Sequence, residues 1–447
     1  MTQPSPAAAA ESLQLHPLHD GPAVDAALLL ESGDGVWLTA SDGRRYLDGL
    51  SGLWNVLIGH GNGELAAAAA EQLGQLAFFS NYAGYATGPT RALAAKLAGY
   101  AYPSLKATFF TSGGAEATES AFKTARYYWK RRGRPSKVNF IARQDAYHGA
   151  TLAAMSATGL SPYWPMFEPR VPGFSHIPAP NTFRYEAERR PGESIGQAAA
   201  RALEETILRE GPENVAGFIA EPVQGAGGVI VPPDDYFPLV REICDRLDVL
   251  LIADEVITGF GRTGKWFGLQ HWGIEPDIMT FAKGVTSGYL PLGGIQVSEA
   301  IYEAINRASP AERWMHAFTY SGHAACCAVG LKNLEILERE DAAGRALQLG
   351  QRLLAGLEEL YAFPCVGDVR GLGLMAAVEL VADRVSMAPA GLGAQLQRAC
   401  QARGLITRAK GDSLCLAPPL IISPAEVDQL VGVVADAIGS LGQAKNG

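Results

Sequence analysis

A chain of 447 residues is long enough for two or three domains of about 100–200 residues each, and its 48% hydrophobic content can fill a large buried core. The net charge of −9, with no basic stripe or helix, argues against nucleic acid as a partner. No run of about 18 apolar residues points to a membrane. The six cysteines, at 244, 326, 327, 365, 400 and 415, show no CxxC or metal spacing and read as reduced packing residues of a cytoplasmic protein. Eight scattered histidines form no HExxH or His-Cys cluster, so no metal site is expected, and the lack of a GxSxG elbow argues against a serine hydrolase.

Taken in chain order, the opening MTQPSPAAAAESLQ lacks a basic n-region and a true apolar h-region. It is expected to be an unstructured start and not a signal peptide. Within residues 1–60, GVWLTASDGRRYLDGLSG places an Asp-Gly turn between WLTA and RRYLDGL, which predicts a hairpin belonging to a small domain shared with the C-terminus. From 61 to 325, ATFFT, VNFIA, VAGFIAEP, VLLIADE and IMTFA alternate with helical patterns. That alternation predicts an α/β fold whose large domain has a mostly parallel central sheet flanked by helices, with its ligand at the strand carboxyl ends. The Pro-rich stretch 167–194 reads as a loop at the pocket mouth. From 326 to 447, the helical run AVGLKNLEILERED leads into a small α+β domain that contains VRGLGLMAAVEL and Arg408. No internal repeat or low-complexity linker interrupts the chain.

Two apolar runs end in residues suited to one chemistry. VLLIADEV closes on Asp254, and some thirty residues later PDIMTFAKG closes on Lys283. A lysine held at a strand end can form a Schiff base, and an aspartate on a nearby strand can keep a pyridine nitrogen protonated. The combination suggests pyridoxal phosphate, although Lys and Asp close many strands simply because strand ends are solvated. Three further segments add weight. In FFTSGGAEATESAFKTARYYWK a short strand enters a Gly-rich turn and then a helix, so Ser112, Gly113, Gly114 and Ala115 sit where backbone N–H groups can receive a phosphate. It is neither GxGxxG nor a Walker loop. In DAYHGATLAAMSATG, Tyr147 could stack on a flat cofactor, with His148 beside it. In DEVITGFGRTGKWFG, four glycines let the backbone approach a ligand closely.

With these segments in this order, the sequence resembles the class III aminotransferases of PLP fold type I, and especially their omega-amino-acid:pyruvate branch. The resemblance runs from LWNVLIGHG to APPLIISPAEVD and is most specific in LIADEVITGFGRTGKWFG and PDIMTFAKGVTSGYLPLGG, with EPVQGAGGVIVPP upstream and FTYSGHAACCA downstream. It implies that Lys283 is the Schiff-base lysine and proton carrier, that Asp254 pairs with the pyridinium, and that Val256 and Tyr147 pack on opposite faces of the ring. Gly113, Gly114 and Ala115 would hold the phosphate, joined by Thr319, with Phe318 beside it, from a second subunit. Glu221 is expected near the cofactor's phenolic oxygen. Trp54, Phe79, Tyr82 and Tyr85 would form the aromatic wall of the substrate pocket, though as plain sequence they also read as core. Arg408 matches a mobile arginine that binds a carboxylate bidentately and swings away for other substrates, where a solvated basic turn is the plainer alternative.

The implied reaction is a ping-pong transfer from an ω-amino acid, diamine or amine donor to pyruvate, giving an aldehyde or ketone and L-alanine, by a homodimer with shared sites, or a tetramer. A 2-oxoglutarate-dependent or decarboxylating transaminase, an aminomutase, and a non-catalytic PLP-binding protein stay open as alternatives. The chain departs from the family pattern in two places. Ala115 stands where a hydroxyl residue is common, which predicts weaker cofactor retention. Ala324 replaces the proline of TYSGHP, which should loosen that loop slightly.

Overall fold

The computed structural model describes residues 15–20, 27–82, 84–185 and 187–443, so the start MTQPSPAAAAESLQ lies outside the described residues. The hairpin reading near the N-terminus holds. After β1 (Leu30–Asp34), β2 (Trp37–Ala40) and β3 (Arg45–Asp48) pair antiparallel, with Thr39 opposite Arg45. Gly43 supplies the positive φ of the turn, at 81°, a conformation costly for residues with a Cβ.

The central sheet is built from β4 (Leu105–Thr111), β5 (Asn139–Arg143), β6 (Phe174–Ile177), β7 (Val215–Ala220), β8 (Leu250–Asp254), β9 (Ile278–Phe281) and β10 (Gly293–Ser298). Their spatial order is β4-β10-β9-β8-β7-β5-β6. Every pair from β9 to β6 is parallel, and β10 runs antiparallel to both neighbours. Every residue of β7, β8 and β9 is buried, as continuous apolar runs covered by helices on both faces require. Along β8, Leu250 and Ile252 join a cluster with Ala117, Ala121, Ala125 and Trp129 of helix Gly114–Arg131. That four-residue spacing lays one stripe of the helix on the sheet. Leu251 and Ala253 point the other way, into the larger cluster with Phe237 and Val240 of helix Tyr236–Arg246. Complete burial of a side chain such as Ile252 contributes about 1.5–3 kcal/mol.

The five expected strands are all present, and two features were not anticipated. ATFFT, in β4, pairs only with antiparallel β10 and so joins the parallel strands through it. The stretch 167–194, read as a loop, contains edge strand β6, parallel to β5 with Phe140 opposite Phe174. Its prolines at 172 and 178 flank the strand and so leave its ladder intact.

Beyond helix Ala324–Arg339 and helix Ala342–Glu358, the chain forms β11 (Val366–Gly371), β12 (Ala376–Asp383), β13 (Ala388–Pro389), β14 (Leu405–Ile406), β15 (Arg408–Lys410) and β16 (Ser413–Leu416). One sheet runs β11-β12-β16-β15, with β13 on β12, and β14 pairs in parallel with β3, Leu405 opposite Leu47. The N-terminal strands are thereby stitched to the C-terminal part, helped by the Ala417 N–H donating to the Gly49 carbonyl at 2.7 Å. No described helix is long and apolar enough to cross a membrane.

Candidate active site at the strand carboxyl ends

Because β10 reverses direction between them, β4 and β9 point the same way as β8, β7 and β5. Five strand ends therefore open on one edge of the sheet. β8 ends in Asp254, β9 is followed by Ala282 and Lys283, and β7 is followed by Glu221. β5 leads to Tyr147 and His148, and β4 leads through Ser112 into helix Gly114–Arg131. Lys283 has φ of 43°, a left-handed backbone that costs about 1–3 kcal/mol in a residue with a side chain. Its surroundings hold it there all the same.

Asp254 is buried, and each of its oxygens has a partner. Its Oδ2 lies 2.7 Å from His148 Nδ1 and its Oδ1 accepts from the Val256 N–H at 3.2 Å. His148 is fixed in turn, its N–H donating to Thr158 Oγ1 at 2.9 Å, while that hydroxyl donates to the Gly149 carbonyl at 3.0 Å. His148 Nε2 is buried without a hydrogen-bond partner among the described residues. The Glu221 carboxylate accepts from the Tyr147 N–H at 2.9 Å and the Gly225 N–H at 3.1 Å. Burial pushes Glu221 above the usual carboxylate range, with the Asp254 charge adding to the rise and His148 opposing it.

Burial also pushes the Lys283 amine below its ordinary value. The Asp254 and Glu221 carboxylates pull it back up, and the Arg408 guanidinium opposes its charge. Asp254, Glu221 and Arg408 are thus all near enough to act on the charge of Lys283. Burial raises the Tyr147 phenol, and Arg408 counteracts this too. Arg408 itself is half-buried at the start of β15, within a strand and not in a free basic turn.

Ser112, Gly113, Gly114 and Ala115 are half-buried where β4 enters the helix, with Gly113 at the N-cap and no side chain capping it. A Cβ at Gly114 would meet the Val256 side chain at 3.1 Å, so Val256 packs directly against this turn. Gly149, at φ 129°, is pressed on Ala115: a Cβ there would lie 2.8 Å from the Ala115 Cβ. Ala324 opens its helix after His323, whose ψ is 124°.

The aromatic candidates divide. Trp54 is 2% exposed and packs with Leu50, Val223, Ile257 and Met375 in a core cluster. Phe79, Tyr82 and Tyr85 are 48%, 48% and 60% exposed, and Thr319 is exposed as well. The half-buried Phe318 ring lies 5.0 Å from that of His316. Tyr82 and Tyr85 line a cavity of about 770 Å³ with Trp314 and His316. Lys283, Asp254, Glu221 and Arg408 are not among the residues lining that cavity.

Two supporting residues escaped the sequence reading. Thr158 lies in the segment DAYHGATLAAMSATG but was not singled out there, and its role is found only through its contacts. Arg143 is fully buried and donates from Nη2 to the Glu221 carbonyl. It closes the apolar run VNFIA just as Lys283 closes its own, so the same signal was present there. No group of residues that could hold a metal occurs among the described residues, and Cys244, Cys326, Cys327, Cys400 and Cys415 are buried thiols.

Comparison with known proteins adds to this geometry. A family model described as aminotransferase class-III matches residues 21–438. A putrescine–pyruvate aminotransferase of Pseudomonas aeruginosa is 41% identical over 91% of this chain and 89% of its own length. Among solved structures, a thermostable (S)-enantioselective omega-transaminase from Thermomicrobium roseum is 49% identical, with a TM-score of 0.92 over 95% of this chain and 96% of that one. An amine transaminase from an uncultivated Pseudomonas species, in its PLP-bound (internal aldimine) form, is 39% identical, with a TM-score of 0.93 over 96% and 99%.

Proposed function

The chain belongs to the class-III aminotransferases, PLP-dependent enzymes of fold type I, and from that premise we propose that it is an omega-transaminase moving an amino group from an ω-amino acid, diamine or amine to pyruvate. The observation that carries this reading is Lys283 just past the end of β9, beside the strand β8 that closes on the buried Asp254–His148 pair. Its likeness to a putrescine–pyruvate aminotransferase supports the choice of donor class and acceptor.

The residues present suit pyridoxal phosphate: a strand-end lysine, a buried carboxylate and a glycine turn opening an eighteen-residue helix meet at one edge of the sheet. When bound, the cofactor supplies an aldehyde carbon and a ring that accepts electrons from the substrate carbon. Gly113, Gly114, Ala115 and Ser112 would hold its phosphate through backbone N–H groups at the helix N-terminus. Asp254, oriented by His148, would keep the ring nitrogen protonated, with Val256 and Tyr147 giving the flanking surfaces. Lys283, with its amine biased toward the neutral form, is the base that removes a proton from the donor's amine-bearing carbon and later returns one to the product carbon. Glu221 holds the Tyr147 segment by its backbone. Arg408 binds the pyruvate carboxylate through its planar fork.

Phe318 and Thr319, with the exposed aromatics 79, 82 and 85, would complete the site of a second copy of the chain, making a homodimer the minimal active unit. The buried thiols support a cytoplasmic setting.

An absorbance spectrum of the purified protein, titrated with putrescine, β-alanine, 4-aminobutyrate and an aryl-alkyl amine, tests the reading. A yellow protein bleached by one donor and restored by pyruvate is the expected result. A coloured protein that no amine bleaches, or one that 2-oxoglutarate restores and pyruvate does not, overturns the proposed donor class or acceptor.

A further inference from the structure

Arg408 belongs to a short edge strand that packs on helix Gly393–Ala402. β15 has three residues and lies at the edge of its sheet, bonded on one side to β16 through Arg408 opposite Cys415, Ala409 opposite Leu414 and Lys410 opposite Ser413. On the other side the Ala409 N–H donates to Gln397 Oε1 at 2.8 Å, a contact within the same C-terminal part of the chain. Lys410 ties it to the segment that follows β5: its Nζ lies 2.6 Å from Asp145 Oδ1.

The position of this pair gives it leverage on the site. Lys410 is two residues from Arg408, on the same side of the strand. Asp145 is two residues before Tyr147, in the segment whose backbone bonds to Glu221. The pair therefore joins the arginine-bearing strand to the tyrosine-bearing segment.

A cavity of about 550 Å³ borders it, lined also by Gln144, Gly227, Glu379 and Asp412. The two cavity carboxylates are engaged elsewhere. Glu379 bonds to Arg370 and Arg184, and Asp412 accepts from the N–H groups of Gly391, Leu392 and Gly393. Once released, Lys410 has open space and no vacant carboxylate of that cavity to replace Asp145.

We propose that the Asp145–Lys410 pair is a positioning latch that holds Arg408 where a keto-acid carboxylate is bound, and whose opening favours substrates without that carboxylate. This rests on the reading of Arg408 as the carboxylate-binding residue. The side chains are 38% and 40% exposed, so the latch is weak and suits a strand that must move.

The test uses the PLP-loaded enzyme and compares KM for pyruvate with KM for an uncharged aldehyde acceptor, butanal. Asp145 has φ of 58°, a conformation asparagine also tolerates, so D145N removes the charge without new strain, and K410M removes the other partner. Each is expected to raise KM for pyruvate about two- to fivefold, the range of a partly exposed ion pair, with KM for butanal not raised and kcat little changed. The double variant should be no worse than either single one. Unchanged KM for pyruvate in both single variants, equal rises for both acceptors, or effects that multiply in the double variant would each overturn the latch. R408M separates the two readings. If it too leaves KM for pyruvate unchanged, the role of Arg408 itself fails. If it raises that KM about tenfold or more, as loss of a charge-assisted hydrogen bond should, while D145N and K410M do not, only the latch falls.

Discussion

The strand-end cluster and the aromatic segments are built on opposite terms. Around Lys283, polar groups are enclosed and bonded: Asp254 to His148 and Val256, and Glu221 to Tyr147 and Gly225. Around Phe79, Tyr82 and Tyr85, with Met315 at 78% and Tyr320 at 57% exposed nearby, large apolar side chains face water. A clustered apolar surface of this kind marks an interaction site, whereas buried polar groups bonded to one another hold each other in place. The contrast sets proton-handling groups gathered within one chain against aromatic rings left facing water.

Lys283→Ala breaks the enclosed half of that comparison. Alanine formation from pyruvate and a working donor should fall by about 10²–10⁴-fold, with the circular dichroism spectrum unchanged. Activity within tenfold of the parent would remove Lys283 from its assigned role.

The exposed half is tested by Phe79→Ser with Tyr85→Ser. Exposed substitutions alter the stability of a single chain by about 0.5 kcal/mol or less, but loss of an aromatic anchor weakens an interface by about 2 kcal/mol or more. The dimer dissociation constant, read by sedimentation, should therefore rise at least about tenfold, and activity should become dependent on protein concentration. Unchanged association would show that these rings serve something other than assembly.

A smaller effect sharpens the electrostatic side of the cluster. The Glu221 carboxylate favours the charged form of Lys283, so Glu221→Gln removes that support and the amine loses its proton at lower pH. The pH midpoint for PLP uptake by the cofactor-free protein, followed by its yellow colour, should move down by roughly one unit or less. An upward or absent shift would show that Glu221 does not act on the lysine.

The pattern of apolar runs was legible because it is local. A run such as VLLIADE needs burial on both faces, which a covered parallel strand provides, and the charged residue ending it has to sit at the edge of the layer. Turn chemistry is local as well, so the Asp42-Gly43 hairpin could be read directly. The family resemblance, carried by the motifs around Asp254 and Lys283, extended this to a class of enzyme that the family match bears out.

What remained hidden depends on partners far apart in the chain. The intrusion of β10 between β4 and β9, the edge strand inside 167–194 and the pairing of β14 with β3 are choices among strand edges that any one segment leaves open. The same holds for side chains: His148 meets Asp254 across 106 residues and Lys410 meets Asp145 across 265. The sequence by itself determined which residues end the buried strands, because hydrophobic periodicity and turn preference are properties of neighbours. Only the tertiary structure decided which of those ends meet, since packing and hydrogen-bond pairing join groups that the order of residues does not bring together.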